Sequence, residues 1–253
     1  MEMNIKQDGR FRYCEEGEGE VIMLLHGLFG ALSNFNHVVN HFSSNYKVVI
    51  PVLPLYELDL ENSTVSGMVN YVKEFVELKN YTNIHLIGNS LGGHIAIIYA
   101  LQHPERVKTI TLTGSSGLFE NSLGDTYPRK GDYEFVKKKT EETFYDPRFA
   151  TKELVDEVFE IVNNREKALR VVLIAKSAVR HNLREEVPKV NVPVNLIWGK
   201  NDTITPPFVA EEFHKLLTNS EIHIIDQCGH AAMMERPAEF NKITEQFLKK
   251  NLQ

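Results

Sequence analysis

The sequence predicts an α/β fold: a mostly parallel, twisted sheet flanked by helices, with a helical segment inserted before the last two strands. Three observations carry this expectation. Short apolar runs alternate with amphipathic stretches of helical length, the pattern of strand–helix–strand units. About eighty residues separate a strand ending near Thr113 from one starting near Val194, too many for a loop inside a compact domain. Between an apolar run and a buried-helix run stands Gly88-Asn89-Ser90-Leu91-Gly92-Gly93, which reads as a sharp strand-to-helix turn.

In chain order, Phe11–Cys14 is a short early strand, followed by a Gly/Glu turn over residues 15–20. Val21–Leu25 is the next strand, and after a short helix around Phe35–Phe42 comes the strand Tyr46–Val52. Met68, Val69, Val72, Phe75 and Val76 recur at helical spacing and predict a helix over Val65–Leu78. Asn83–Ile87 is a strand, and His94–Leu101 is a buried helix stopped near Pro104. Val107–Thr113 is a strand opening into Gly114-Ser115-Ser116-Gly117. The inserted segment carries helical patterns over Tyr133–Phe144, Lys152–Asn163 and Glu166–Ala178, punctuated by Pro128, Pro147, Pro188 and Pro193. Asp146-Pro147, then Thr151-Lys152-Glu153, reads as turn, cap and helix start. Alternation resumes with strands at Val194–Trp198 and Glu221–Asp226, and an amphipathic helix closes the pattern from about Pro237 to Leu248.

Composition sets outer limits. The chain has 253 residues, 42% hydrophobic and 25% charged, as in an ordinary soluble protein able to bury a sizeable core. A net charge of −6 speaks against a nucleic-acid footprint. The one basic cluster, Lys137-Lys138-Lys139, is flanked by Glu134, Glu141 and Glu142 and reads as a solvated helix face. The first ten residues hold no apolar signal-peptide run, and no stretch is long and apolar enough to span a bilayer. With only Cys14 and Cys228, a disulfide framework is not expected and a cytoplasmic setting is.

The chemistry begins at Ser90. In G-x-S-x-G between a strand and a helix, the serine sits on a strained turn that points its hydroxyl out of the sheet. Gly88 and Gly92 keep side chains out of the space where strand and helix cross. A serine hydroxyl needs a base within reach and an acid to orient that base. Downstream, Asp202 follows the strand Val194–Trp198, and His230 follows the strand ending at Asp226. The chain order Ser90, Asp202, His230 is the one expected with this turn, and each group lies on a loop after a strand. Glu120, which follows the preceding strand, is the alternative acid. Cys228, two residues before His230, reads as a small packing residue rather than a rival nucleophile.

These motifs, with His26-Gly27-Leu28-Phe29-Gly30 closing the strand Val21–Leu25, resemble the α/β-hydrolase family over nearly the whole chain. The resemblance implies a core domain of residues 1–116 and 188–253 and a helical cap, or lid, of residues 117–187. It implies an oxyanion hole made by the backbone N–H groups of Leu28 and Leu91, with Phe29 as the alternative to Leu28. His26 is expected to brace this loop through its ring nitrogens. Phe119, Phe135, Phe144, Phe149, Leu173 and Val179 are candidates for the underside of the cap. Serine at position 90 separates the chain from family dehalogenases and epoxide hydrolases, which carry aspartate there.

Within the family, the elbow, Trp198-Gly199-Lys200-Asn201-Asp202 and Cys228-Gly229-His230 resemble the meta-cleavage-product C–C hydrolases. Asn89 corresponds to their polar residue beside the nucleophile. The chain departs from them at Ala231, where they carry tryptophan, and over Glu153–Val158, where it lacks their substrate-carboxylate arginine. It also shows Pro51-Val52-Leu53-Pro54-Leu55 in place of the family's common D-x-P-G turn.

The expectation is therefore a serine hydrolase that cleaves a carboxylic ester of a small-to-medium apolar substrate through an acyl-enzyme. Phe29, Asn89 and Ala231 are the expected substrate-binding residues. A C–C hydrolase is the alternative within the fold, and a low-turnover ligand sensor using the same pocket is the alternative from another class. No cofactor is expected, because no phosphate-cradling glycine motif follows a strand. No metal is expected either, because His85, His94 and His103 lack the spacing and company of a zinc site. The partner is a small-molecule substrate, without nucleic acid or membrane span; monomer and homodimer both stay open.

Overall fold

Parallel strands buried on both faces form the centre of the molecule. A computed structural model describes residues 3–30, 32–119 and 130–252. Eight strands, β1 (Ile5–Asp8), β2 (Phe11–Glu16), β3 (Val21–Leu25), β4 (Lys47–Pro51), β5 (Ile84–Asn89), β6 (Val107–Thr113), β7 (Val194–Gly199) and β8 (Ser220–Ile225), form one sheet. Their spatial order is β1-β2-β4-β3-β5-β6-β7-β8. Pairings of β1 with β2 and of β2 with β4 are antiparallel; all the others are parallel. This is the α/β sheet expected from the sequence.

The continuous apolar run of β3 has a direct structural cause. Every one of its residues is buried, because helices cover both faces of a parallel sheet. Strand alternation then divides them. Met23 and Leu25 join a cluster with Leu86, Leu112 and Trp198 on one face, and Ile22 and Leu24 join Val48, Ile87 and Ile197 on the other.

The covering helices are α1 (Asn36–Phe42), α2 (Val65–Lys79), α3 (Leu91–Gln102), α7 (Phe208–Leu216) and α9 (Pro237–Lys250). Thr64 caps α2 by accepting from the Gly67 N–H, and Asn80 ends it in the left-handed region. The sequence pattern marks no element over residues 5–8 or 208–216, where the structure has β1 and α7. All four β1 residues are exposed, so this edge strand is held by its ladder and a Lys6–Glu15 ion pair to β2, and it leaves no hydrophobic period to read.

Among the described residues, the segment between β6 and β7 holds three α-helices, α4 (Tyr133–Glu141), α5 (Lys152–Asn163) and α6 (Arg165–Arg180). It leaves and returns at one point, where the Leu183 N–H donates to the Gly117 carbonyl at 2.8 Å. Ser177 accepts the Val65 N–H at 3.1 Å, and Arg170 Nε donates to the Leu58 carbonyl at 2.7 Å. Several of its buried side chains join the core clusters of the sheet, Ile161, Val171 and Ile174 the first and Phe144 the second. A four-residue helix, α8 (Ala232–Glu235), precedes α9.

Candidate active site

Ser90 stands between β5 and α3 with φ 55° and ψ −119°, a strained conformation that a tight surrounding turn must hold. Its carbonyl accepts the N–H groups of Gly93, His94 and Ser116, and its own N–H donates to the Thr113 carbonyl at 3.2 Å. The two flanking glycines are steric necessities. A Cβ at Gly88 would lie 2.5 Å from the Gly92 carbonyl oxygen, and one at Gly92 would lie 1.9 Å from that of Leu25. The crossing of strand and helix is therefore backbone against backbone.

Asp202 follows β7 and is buried. One carboxylate oxygen accepts the N–H groups of Ile204 and Thr205 at 2.8 and 2.9 Å. The other accepts the Thr205 hydroxyl and lies 2.9 Å from His230 Nδ1. With Nδ1 facing the carboxylate, the proton sits on Nδ1 and Nε2 is left as the basic nitrogen. Asn89 donates through its side-chain amide to the carbonyls of Thr113 and His230, at 3.0 and 3.3 Å.

Leu28, Phe29, Asn89, Ser90, His230 and Ala231 all line one cavity of about 310 Å³. Asp202 lies behind His230, outside that wall. Leu91 packs its side chain into the first core cluster, so at the site it offers its backbone only. Among the described residues, neither the Leu28 N–H nor the Leu91 N–H has a hydrogen-bond acceptor. A Gly27–Gly30 turn presents Leu28, closed by the Gly30 N–H donating to the Gly27 carbonyl at 3.1 Å.

His26 braces this turn. Its Nδ1 lies 3.0 Å from the Gly27 carbonyl, and its Nε2 accepts the Leu53 N–H at 3.1 Å. Burial holds its pKa below the ordinary imidazole value, so the ring is neutral, which is what accepting at Nε2 requires. Cys228 is fully buried, and burial pushes its thiol up to about 12, which removes it as a nucleophile.

Most of the remaining wall is apolar: Phe135 and Val136 from α4, Leu154, Val158 and Val162 from α5, and Met234. Lys139 also lines the cavity, where it pairs with Glu142 at 2.7 Å. Of the expected underside residues, Phe135 and Phe144 line the cavity. Val179 does not; it is exposed on the outer side of α6, and Leu173 faces a separate crevice beside Lys176 and Arg180. Phe119 packs edge-on against Phe208, and Phe149 stacks on Phe144. A helical period alone places a residue on a stripe without saying which side of the helix meets the site. Glu120 lies outside the described residues.

Besides wall residues such as Val158 and Met234, two residues bonded to the Asp202 and His230 loops carry no mark in the sequence analysis. Thr205 bonds the Asp202 carboxylate and lies 3.3 Å from His230 Nδ1. Its place three residues after Asp202, in a turn closed by that carboxylate, was the available local signal. Glu235 bonds backbone groups some ninety positions earlier, a contact with no local signature.

The α/β hydrolase fold model matches residues 20–159 and 125–237. The chain belongs to the α/β hydrolase family. A solved α/β hydrolase, MGS-MChE2 from the metagenome of sediments of the Mar Chica lagoon, Morocco, is 44% identical, with 98% of each chain covered and a TM-score of 0.81. Monoacylglycerol lipase ABHD6 of Mus musculus is 28% identical over 271 residues, 96% of this chain and 80% of the lipase. A 2-hydroxy-6-oxo-6-phenylhexa-2,4-dienoate hydrolase of Comamonas testosteroni is 25% identical over 264 residues, 96% of this chain and 92% of its own. Among the described residues of this α/β hydrolase, no helix is long and apolar enough to cross a membrane.

Proposed function

We propose that this α/β hydrolase cleaves a neutral carboxylic ester with an apolar acyl or alcohol part, with residues 117–187 forming the cap over the site. The observation that carries the reading is the opening of strained Ser90 and Asp202-held His230 onto one apolar cavity. Ser90 Oγ attacks the ester carbonyl carbon while His230 Nε2 takes its proton. The Leu28 and Leu91 N–H groups hold the oxyanion; each such donor contributes on the order of 3 kcal/mol to catalysis. His230 then returns the proton to the departing alkoxide, which leaves as the alcohol. Water, deprotonated by His230, attacks the acyl-enzyme and releases the acid, restoring Ser90. Asp202 fixes the His230 tautomer and stabilises the imidazolium. Phe29 and Ala231 contribute cavity wall, and Asn89 contributes its amide oxygen, since its amide hydrogens are spent on two carbonyls.

The similarity to a dienoate hydrolase over most of the chain keeps C–C cleavage as the second reading. Against it stands the charge of the wall. Lys139 is the cavity's only cationic side chain among the described residues, and Glu142 neutralises it, leaving a carboxylate-bearing dienoate without an ionic clamp.

The test is hydrolysis of p-nitrophenyl esters, from acetate to palmitate, by wild type and Ser90→Ala. Turnover that vanishes in the variant is expected, with a chain-length optimum set by the cavity. Absence of turnover on every ester would reject the ester reading. Turnover of a vinylogous dienoate in its place would establish C–C cleavage, and a persistent adduct without turnover would point to a sensor.

A further inference from the structure

Glu235 is a buried carboxylate that the proposed mechanism does not use. It is 6% exposed, and no cation pairs with it among the described residues. Its two oxygens are instead committed to backbone on both sides of a seam. Oε1 accepts the N–H groups of Tyr145 and Asp146 at 2.9 and 3.0 Å, and Oε2 accepts the N–H of Gly229, the residue before His230.

The seam is reinforced around it. The His230 N–H donates to the Thr143 carbonyl at 2.8 Å, and the Thr203 hydroxyl donates to the Glu142 carbonyl at 3.0 Å. A Cβ on Gly229 would meet the Thr143 oxygen at 2.6 Å and Phe144 Cα at 2.8 Å, so the two backbones touch. The turn after α4 is thus stitched to the loop that carries His230 and to the loop that carries Asp202. The preceding helix supplies Phe135, Val136, Lys139 and Thr140 to the cavity wall. One carboxylate therefore fastens the substrate-facing wall of the inserted segment to the base.

We propose that Glu235 is a positioning residue, which acts through Gly229 and the inserted segment to hold His230 in register with Asp202 and Ser90. The inference rests on the hydrolase reading above. A carboxylate suits the place because it only accepts, and three N–H groups converge on it. Charge-assisted bonds of this kind are stronger than neutral ones. A glutamine would keep the shape but turn an NH2 group toward an N–H, leaving buried donors facing each other.

The test compares wild type, Glu235→Gln and Glu235→Asp, all as the full chain. Active serines are counted by burst titration, so that kcat refers to competent sites only. The low-field proton resonance of the His230–Asp202 hydrogen bond is recorded as a readout independent of any substrate. For Glu235→Gln the expected result is a kcat per titrated site lower by about 10- to 100-fold, with KM for a short ester within about two-fold. The low-field resonance should shift or disappear. Glu235→Asp keeps the charge but withdraws it by one methylene, and should fall between the two. Should the glutamine variant not fold, the aspartate variant carries the same comparison. Unchanged kcat per titrated site together with an unchanged resonance, even at lower thermal stability, would overturn the proposal. If wild type turns over no ester but the resonance moves as expected, the ester reading fails and the positioning role stands.

Discussion

The side-chain amide of Asn89 donates to the carbonyl of His230 at 3.3 Å, so the residue before Ser90 holds the loop that carries His230. The same nitrogen reaches the end of β6 through the Thr113 carbonyl, at 3.0 Å. Two strand ends and the His230 loop are thereby drawn together at one amide. A Cβ on Gly114, the next residue along, would stand 2.7 Å from His230 Nδ1, which shows how closely the histidine is seated against β6.

Asn89→Leu keeps the volume and removes both bonds. The expected outcome is a kcat about 10-fold lower with KM little changed, because the loss falls on the placement of His230 rather than on substrate contact. Steady-state kinetics on one short ester checks it, and a rise in KM at constant kcat would assign Asn89 to binding instead.

Asp202→Asn should lower kcat by roughly 10³- to 10⁴-fold with the fold retained, since an amide in that place favours the wrong imidazole tautomer. Thr205→Val should cost far less, about 10-fold, because the Asp202 carboxylate keeps its two backbone donors and His230. Equal losses in the two variants would mean that Thr205, and not the carboxylate alone, sets the tautomer. A mild Asp202→Asn would send the search for the acid elsewhere.

Gly92→Ala places a methyl group 1.9 Å from the Leu25 carbonyl oxygen, where only backbone can give way. Thermal and urea unfolding should show a loss of about 3 kcal/mol or more, the upper range for overpacking. Gly131→Ala makes the useful contrast. Among the described residues a Cβ there meets nothing within 4 Å, so its left-handed backbone, φ 79°, is what opposes the change. Comparable losses at the two sites would show that backbone conformation outweighs the collision.

Stability should fall on mild acidification through His26. Its folded pKa is depressed by burial, whereas the unfolded chain takes up a proton at the ordinary imidazole value, about 6.5. Above that value the ring is neutral in both states and its contribution is complete. As pH falls below it, the unfolded state binds the extra proton and the contribution is lost, at up to about 1.4 kcal/mol per pH unit for one group. His85, also depressed by burial, adds to the same slope. Urea denaturation at pH 7 and 5.5 should show a smaller difference for His26→Gln than for wild type. An identical slope would remove His26 from the account.

Much of this molecule was legible as sequence. The strands β3 and β6 and the helix α5 fall on the residues that their apolar periods mark, because burial on two faces or one leaves a repeating local imprint. The turn at Ser90 was legible because a crossing of backbones admits only glycine at Gly88 and Gly92. Asp202 and His230 were legible because each follows directly on a strand of the same parallel sheet, and such strands deliver their following loops to one edge.

Other features depended on tertiary structure. Nothing local marks β1, whose exposed residues are held by pairing with β2. Val179 and Phe135 both stand on amphipathic helices of the inserted segment, yet one faces solvent and the other the cavity. That difference is set by how the helices are docked. Glu235 meets Tyr145 only because the inserted segment folds back over the His230 loop. The sequence by itself determined the sheet, the strained serine and the order of the groups around it, since these follow from periodicity and steric exclusion between near neighbours. Only the tertiary structure decided which wall of the insertion meets the cavity and which buried carboxylate bonds it to the loop before His230, because contacts between residues ninety positions apart leave no period along the chain.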